Sequence, residues 1–393
     1  MSLSVSERVK RVKPSPTMAV TALAAALRAE GRDIIGLGAG EPDFDTPQHI
    51  KDAAIAAINA GDTKYTNVDG TPALKQAIID KFQNENGLTY TKDQILVSSG
   101  GKQTCFNVCL AVLNDGDECV IPAPYWVSYP DMVLLAGGVP VPVLGGIDQG
   151  YKITPAQLEG ALTDKTRLMF LNSPSNPTGA AYTKAELQAL GEVLRNYPEV
   201  LIATDDMYEH IYWADEPFAS FAEACPDLYD RTLTMNGISK AYAMTGWRIG
   251  YCGGPENVVK AMKKIQSQST SNPVSVSQAA AVAALTGGNE CIQDMLVHFK
   301  ARHDYLVAAL NEIPGFACIE GAGTFYAFPD VTEAMKLKGV DDDTAFSSKL
   351  LEEAEVALVP GSAFGAPGYL RFSFATSMEV LEEAVSRLQK FMS

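Results

Sequence analysis

Short apolar runs alternate with amphipathic helical patterns through most of the chain. This alternation is typical of α/β proteins, in which helices flank a mostly parallel central sheet. We predict strands at six of the apolar runs, which are Ile95–Ser98, Cys119–Pro122, Arg167–Asn172, Val200–Thr204, Thr232–Asn236 and Trp247–Cys252.

Helix-start signals lie between several of these runs. Thr183 and Glu186 have the spacing of a capping box and precede the helical stretch LQALGEVL. Thr46 and Pro47 predict a second helix start as N-cap and first-turn proline, and Gly61 predicts its end. The predicted apolar stripe of this second helix consists of Ile50, Ala54, Ala57 and Ile58.

The C-terminal third has a different pattern. Helical signal dominates from Ser277 to Asn311, and a capped helix is predicted from Thr376 to Phe391. Between them lie four predicted strands, at Phe316–Ile319, Phe325–Phe328, Val356–Val359 and Leu370–Ser373. We therefore predict a large α/β domain over residues 46–290 and a smaller α+β domain over residues 291–393. An N-terminal arm, residues 1–45, is expected to pack with the smaller domain.

Composition and charge exclude several classes of protein. The 393 residues are 47% hydrophobic and 20% charged, and no apolar run is long enough for a transmembrane helix. The N-terminus lacks the apolar core of a secretory signal, so a cytoplasmic location is expected. A net charge of −16 argues against nucleic-acid and membrane partners. Any anionic ligand must then be bound by a few local cations.

The seven cysteines and four histidines do not form a metal-binding pattern. No two cysteines make a CxxC pair, and His298 and His303 have the wrong spacing for one helix face. We therefore predict neither a disulfide framework nor a metal site.

Two glycine-rich segments match the patterns of nucleotide-binding loops only in part. In GLGAG (36–40), Glu41 stands where a dinucleotide fingerprint requires glycine. SSGGKQ (98–103) lacks the earlier glycine and the hydroxyl residue of a Walker A motif. It does join a strand to a helix N-terminus, an arrangement that binds anions. A phosphate site and a simple tight turn both fit this second segment.

A lysine and an arginine, Lys240 and Arg248, lie in a segment that is otherwise apolar, small or hydroxylic. Near apolar neighbours the pKa of a lysine falls, which makes its amine available for imine chemistry. A surface lysine on a loop is the alternative interpretation.

The segment SKAYAMTGWRIGY (239–251) resembles the cofactor-lysine signature of class I aminotransferases, which have pyridoxal-phosphate fold type I. SPSNPTG (173–179), TDDMYE (204–209) and YLRFSFA (369–375) resemble the same family in the same order. The similarity extends from KPSPT (13–17) to the last helix and is greatest to the bacterial aspartate and prephenate aminotransferase branch. It implies a large cofactor domain, a small domain and a homodimer with shared active sites.

The resemblance also implies an activity. It is transfer of the amino group of L-aspartate to 2-oxoglutarate by a ping-pong mechanism, giving oxaloacetate and L-glutamate, with prephenate as a further substrate. Lys240 would hold pyridoxal 5′-phosphate as a Schiff base and move protons. Asp205 would face the pyridine nitrogen, and Tyr208 and Asn176 would donate to the phenolic oxygen. Trp126 would stack on the ring.

The family pattern assigns phosphate binding to a second group of residues. Gly101 and Lys102 would contribute backbone N–H groups, and Arg248 a bidentate cationic contact. Tyr65 resembles the tyrosine that reaches the phosphate of the neighbouring subunit. Some relatives have a serine where this chain has Gly237, and Ser239 would supply a hydroxyl instead.

Substrate recognition is assigned by the same resemblance. Arg371 would bind the α-carboxylate, in a site completed by Gly40, Trp126 and Asn176. Lys102 and Thr17 match the bacterial residues that bind the distal carboxylate. Lys13 matches a position associated with prephenate, although a solvated basic arm is the alternative for this residue.

Three other functions stay open for this chain as alternatives. The first is an aromatic aminotransferase that also depends on pyridoxal phosphate. The second is a lyase that eliminates a β or γ substituent, for example a C–S lyase acting on cystathionine. The third is a cofactor-binding regulator without turnover.

Overall fold

The structure is a computed structural model that describes residues 3–12 and 16–393, and only the backbone of residues 16–19. The strands of this part of the chain are β1 (Ile35–Gly36), β2 (Ile95–Ser98), β3 (Glu118–Ala123), β4 (Val139–Leu144), β5 (Thr166–Asn172), β6 (Leu201–Asp205), β7 (Thr232–Gly237), β8 (Gly250–Gly253), β9 (Tyr326–Ala327), β10 (Val356–Ala357), β11 (Val359–Pro360) and β12 (Leu370–Ser373).

The α-helices of the same residues are α1 (Glu7–Lys10), α2 (Pro16–Ala29), α3 (Gln48–Asn59), α4 (Pro72–Asn86), α5 (Gly101–Val112), α6 (Ser128–Leu135), α7 (Pro155–Ala161), α8 (Lys184–Leu194), α9 (Phe221–Ala224), α10 (Glu256–Ser267), α11 (Ser275–Thr286), α12 (Glu290–Asn311), α13 (Thr332–Leu337), α14 (Asp343–Glu353) and α15 (Met378–Met392). None of these helices combines the length and the apolarity needed to cross a membrane.

The largest sheet that these residues form has seven strands in the order β2-β8-β7-β6-β5-β3-β4. The five strands from β7 to β4 run parallel, and β8 is antiparallel to both of its neighbours. This arrangement confirms the predicted α/β fold with a mostly parallel sheet. The carboxyl ends of its parallel strands meet at one edge, where ligands of such folds bind.

Helices cover both faces of this sheet. Along β6, Leu201 and Ala203 pack into a core with α5, α6 and α10. Ile202, on the opposite face, packs with α7 and α8. Burial on both faces explains why these strands are continuous apolar runs in the sequence.

The C-terminal residues form separate, smaller sheets. β11, β12 and β9 are antiparallel, in the order β11-β12-β9, and β1 pairs in parallel with β10. One core joins α12, α14 and α15 with these strands. Within the N-terminal segment, α2 packs beside β10 through Ala24, whereas Arg11 donates to the carbonyl of Leu134 on α6. The domain boundaries at residues 45 and 290 stay a prediction.

Several predicted elements are confirmed. β2 and β12 have the predicted bounds, and the capping box of Thr183 and Glu186 opens α8. The strand predicted at Phe316–Ile319 is wrong, since only an isolated bridge between Ala317 and Asp330 forms there.

Other predictions need correction in detail. α3 begins at Gln48 with Pro47 as its N-cap, and Ile58 is exposed instead of joining the buried stripe. The helical region from Ser277 divides into α11 and α12. The last helix begins at Met378, because Ser377 provides its cap.

Candidate active site

A cavity of about 320 Å³ opens where β5, β6 and β7 end. Most of the predicted site residues line it, namely Gly40, Gly101, Lys102, Trp126, Asn176, Asp205, Tyr208, Ser239, Lys240, Arg248 and Arg371. Tyr65 does not line the cavity, and its side chain is 91% exposed. Lys13 and the side chain of Thr17 lie outside the described residues.

Lys240 follows β7 in a tight turn and directs its amine into the cavity. The amine donates a hydrogen bond to the carbonyl of Gly40. Burial lowers the pKa of Lys240 to about 8, and the cations of Arg371 and Arg248 act in the same direction. A substantial share of this amine is therefore neutral near physiological pH, as nucleophilic chemistry requires.

Asp205 is the last residue of β6, and its carboxylate is held from two sides. The hydroxyl of Tyr129 donates to Oδ2 at 2.6 Å, and the backbone N–H of Met207 donates to Oδ1 at 3.3 Å. Burial raises the pKa of Asp205, whereas these hydrogen bonds and the charge of Lys240 oppose that rise. A buried, oriented carboxylate of this kind suits a cationic N–H group in the cavity.

Sequence reasoning did not identify Tyr129. The residue lies on α6, three positions after Trp126, and its ring stacks on Phe170 with centroids 4.5 Å apart. In the sequence it has the appearance of an ordinary core aromatic. Its position one helical turn from a predicted site residue was the one available signal.

The turn that carries Tyr208 is anchored by a buried ionic cluster. Glu209 points away from the cavity and accepts hydrogen bonds from Lys81 and Asn86 of α4. Glu85, Glu209 and His210 bring their ligand atoms within 4.8 Å of one another, but the ammonium of Lys81 already lies against Glu209 and Asn86. The ammonium of Lys81 is therefore the cation of this cluster. The absence of a metal site stays a prediction.

Arg371 is a buried cation that faces the cavity from β12. It donates to Oδ1 of Asn176 at 2.9 Å and to the carbonyl of Gly38 at 2.7 Å. Its guanidinium lies over the ring of Tyr326, 4.5 Å from the centroid. Among the described residues no carboxylate forms an ion pair with Arg371, and its Nε has no acceptor. A buried guanidinium in this state has the charge and the planar shape that suit a carboxylate.

The predicted anion site at the start of α5 has the necessary geometry. Gly100 precedes the helix with a φ of 91°, and a Cβ there would lie 2.1 Å from a terminal nitrogen of Arg248. A Cβ on Gly250 would lie 2.2 Å from the backbone nitrogen of Gly101. The glycines thus allow Arg248 to pack against a helix N-terminus, where free N–H groups and a cation favour a phosphate.

Gly237 is explained by its surroundings. A Cβ at this position would lie 2.9 Å from Cε of Met207 and 3.1 Å from the carbonyl oxygen of Ile249. A serine would therefore require Met207 to move. Ser239 is buried and lines the cavity, consistent with the predicted substitute hydroxyl.

Lys102 lies between this cavity and a second, more open one of about 450 Å³. Its amine is 5.0 Å from the ring centroid of Trp126. Burial and the neighbouring cation of Arg248 lower the pKa of Lys102. The second cavity runs between α5 and α6 and includes the apolar side chains of Phe106 and Leu135. Lys102 can therefore contact an anionic group in either space.

The site thus combines a buried amine, a buried carboxylate, a cation beside a helix N-terminus and a buried guanidinium without an ion-pair partner among the described residues. Residues 32–388 match the family model described as aminotransferase class I and II. An aspartate/prephenate aminotransferase of Nitrosomonas europaea is 58% identical over the whole length of both chains.

Two solved structures have the same fold. An aspartate aminotransferase from Rhizobium meliloti superposes with a TM-score of 0.96 at 47% identity, over 99% of this chain and 98% of that one. An aspartate aminotransferase from Thermus thermophilus, with maleate, has a TM-score of 0.92 at 41% identity, over 99% of this chain and 100% of that one.

Proposed function

The chain belongs to the class I and II aminotransferases, and on this premise we propose that it transfers the amino group of L-aspartate to 2-oxoglutarate, giving oxaloacetate and L-glutamate. The observation that carries the proposal is the placement of two cationic groups, Arg371 and Lys102, in the cavity that contains the Lys240 amine. One cation suits each carboxylate of a dicarboxylic amino acid. The Thermus thermophilus structure with maleate, itself a dicarboxylate, supports the same substrate class.

Pyridoxal phosphate, the cofactor of this family, fits the residues present. Lys240 would bind its aldehyde, and Asp205 would pair with its ring nitrogen. Trp126 would stack on the ring, and Asn176 and Tyr208 would donate hydrogen bonds to the phenolic oxygen.

The phosphate of the cofactor would be bound by Gly101, Lys102, Ser239 and Arg248. When bound, the cofactor supplies an electron sink that stabilises negative charge at the substrate Cα.

The protein's own groups would then divide the remaining work. Lys240, once released from the cofactor, would take the proton from the substrate Cα as a general base. Asp205 would keep the ring nitrogen protonated, because a buried carboxylate favours a nearby cation. Arg371 would fix the α-carboxylate through its planar guanidinium, with Gly40, Trp126 and Asn176 around it.

Prephenate is proposed as a second substrate. The Nitrosomonas europaea relative is named for both aspartate and prephenate. The adjoining 450 Å³ cavity next to Lys102 provides apolar surface for a larger side chain. A contribution from Lys13 or Thr17 stays a prediction.

A homodimer with shared active sites is part of the proposal. Tyr65 is 91% exposed, which is unusual for a large aromatic side chain on a free surface. Ile55, Ile58 and Val274 are also more than half exposed. These exposed apolar side chains suit burial against a second copy of the chain. The cytoplasmic location stays a prediction.

A half-reaction tests the proposed function. L-aspartate is added to cofactor-loaded protein without an oxo acid, and the absorbance of the lysine-bound cofactor is followed. We expect conversion to the pyridoxamine form with one equivalent of oxaloacetate per site. Pyruvate and ammonia released from cystathionine would instead favour a lyase. An unchanged spectrum with every donor would favour a regulator, and a response to aromatic donors alone would favour an aromatic aminotransferase.

Replacing Lys102 with alanine should reduce kcat/KM for aspartate far more than for phenylalanine. The expected loss with aspartate is about 10- to 100-fold, the contribution of one hydrogen bond between charged groups. Phenylalanine has no distal carboxylate, so its kcat/KM should change little. Steady-state rates with both donors measure the difference, and Lys102→Arg should restore part of it. An equal loss for both donors would contradict the assigned role of Lys102.

A further inference from the structure

The hydroxyl groups of Tyr208 and Tyr326 form a hydrogen bond of 3.1 Å inside the cavity. Both side chains are buried, with exposed fractions of 4% and 1%. Two hydroxyls that share one hydrogen bond use only one of their two protons for it. The remaining proton is free to bind a third oxygen atom, so the direction of this bond matters.

The surroundings of Tyr326 make it the better donor. Its ring packs under the guanidinium of Arg371, 4.5 Å from the centroid, and a cation there favours the ionised phenol. Burial raises the pKa of both tyrosines, and the charge of Arg371 opposes that rise in each of them. The guanidinium contact therefore favours the Tyr326 hydroxyl as donor, and when Tyr326 donates, the O–H of Tyr208 is left to point into the cavity.

The backbone holds this arrangement in place. Tyr326 lies on β9 opposite Ser373 of β12, the strand that carries Arg371. A Cβ on Gly40 would lie 3.1 Å from the Tyr326 hydroxyl, so the glycine leaves room for it. The position of Tyr326 is therefore determined by the same strand pair that positions the carboxylate receptor.

We infer that Tyr326 is a positioning residue, which donates to the hydroxyl of Tyr208 and thereby directs the Tyr208 O–H toward the phenolic oxygen of the cofactor. This inference rests on the proposed function and deepens it. The Tyr326 ring contacts Arg371 while its hydroxyl contacts Tyr208, so one side chain links the substrate carboxylate receptor with the hydroxyl that faces the cofactor.

Tyr326→Phe tests the inference, because it keeps the ring beneath Arg371 and removes only the hydroxyl. The readout is the pH at which the absorbance of the lysine-bound cofactor changes. A hydrogen bond to the phenolic oxygen stabilises its full negative charge and so lowers this pKa. Weakening that bond should raise the pKa by about 0.5 to 1 unit, equivalent to one net hydrogen bond. The half-reaction rate with aspartate should fall about 3- to 10-fold.

Two further variants separate positioning from a general structural effect. Tyr151→Phe removes another buried hydroxyl, which donates to the carbonyl of Phe328 at 2.6 Å away from the cavity, and should leave the absorbance pKa unchanged. The double variant Tyr208→Phe, Tyr326→Phe should match Tyr208→Phe alone, because Tyr326 acts through Tyr208.

Two results would overturn the inference, namely a wild-type absorbance pKa in Tyr326→Phe, or additive shifts in the double variant. The absorbance titration requires only bound cofactor. A wild-type protein that fails to convert aspartate would therefore reject the proposed function while leaving the role of Tyr326 measurable.

Discussion

Lys240→Ala is expected to lower kcat for amino transfer by about 10⁴-fold or more, the upper end of what a general acid–base group contributes. The amine is the nucleophile for the cofactor and the base for the substrate Cα, so one substitution removes both roles. No described residue can replace it. The other lysine of the cavity, Lys102, lies beside Trp126 and Arg248 instead of beside Gly40.

The measurement combines single-turnover kinetics with the absorbance spectrum. Lys240→Ala should lose the absorbance band of the lysine-bound cofactor and still fold, since the substitution removes a buried cation and its desolvation cost. Lys260→Ala, on the exposed surface of α10, serves as the matched control and should keep the wild-type rate. Normal turnover by Lys240→Ala would refute the central assignment.

The sheet was predictable from the sequence where its strands are buried on both faces. β2 is a fully buried run between clear boundaries. β4 was missed because VPVPVL contains Pro140 and Pro142, which argue against a central strand. β4 is an edge strand that pairs only with β3. At an edge, the missing N–H groups of the prolines do not cost hydrogen bonds to a second neighbouring strand.

Local backbone geometry explains why the strand predicted at Trp247–Cys252 is wrong at its start. Residues 245–247 form a 3₁₀ turn, and Arg248 has a φ of 57°. A positive φ at arginine is uncommon, and it is needed here to bring the guanidinium to the start of α5. The packing of Arg248 against the start of α5 thus overrides the strand propensity of its neighbours.

Only those residues of the candidate site that lie in recognisable motifs were predictable from the sequence. Lys240, Asp205 and Arg371 lie in segments that resemble family signatures, and all line one cavity. The hydroxyl of Tyr129 forms a hydrogen bond with Asp205, which lies 76 residues away in the sequence. The hydroxyl of Tyr326 forms one with Tyr208, 118 residues away. The hydrophobic periodicity of the sequence cannot predict such a contact. A buried aromatic residue gives the same periodicity whether or not its hydroxyl has a polar partner.

Asp205→Asn is expected to lower kcat by about 10²- to 10³-fold, as when one preorganised electrostatic group is removed. An asparagine has nearly the same shape and can still accept from Tyr129, but it has no negative charge to hold a proton on the ring nitrogen. The effect should therefore appear in kcat more than in KM. Stopped-flow rates of the half-reaction and cofactor dissociation constants measure it.

Asp206→Asn is the matched control for this substitution. Asp206 is the next residue and is also buried, but it lies outside the cavity lining. Because its carboxyl group does not reach the cavity, an amide at this position should change kcat by no more than about twofold. Equal losses in the two variants would assign the effect to packing instead of to the charge of Asp205. A wild-type rate in Asp205→Asn would remove this carboxylate from the mechanism.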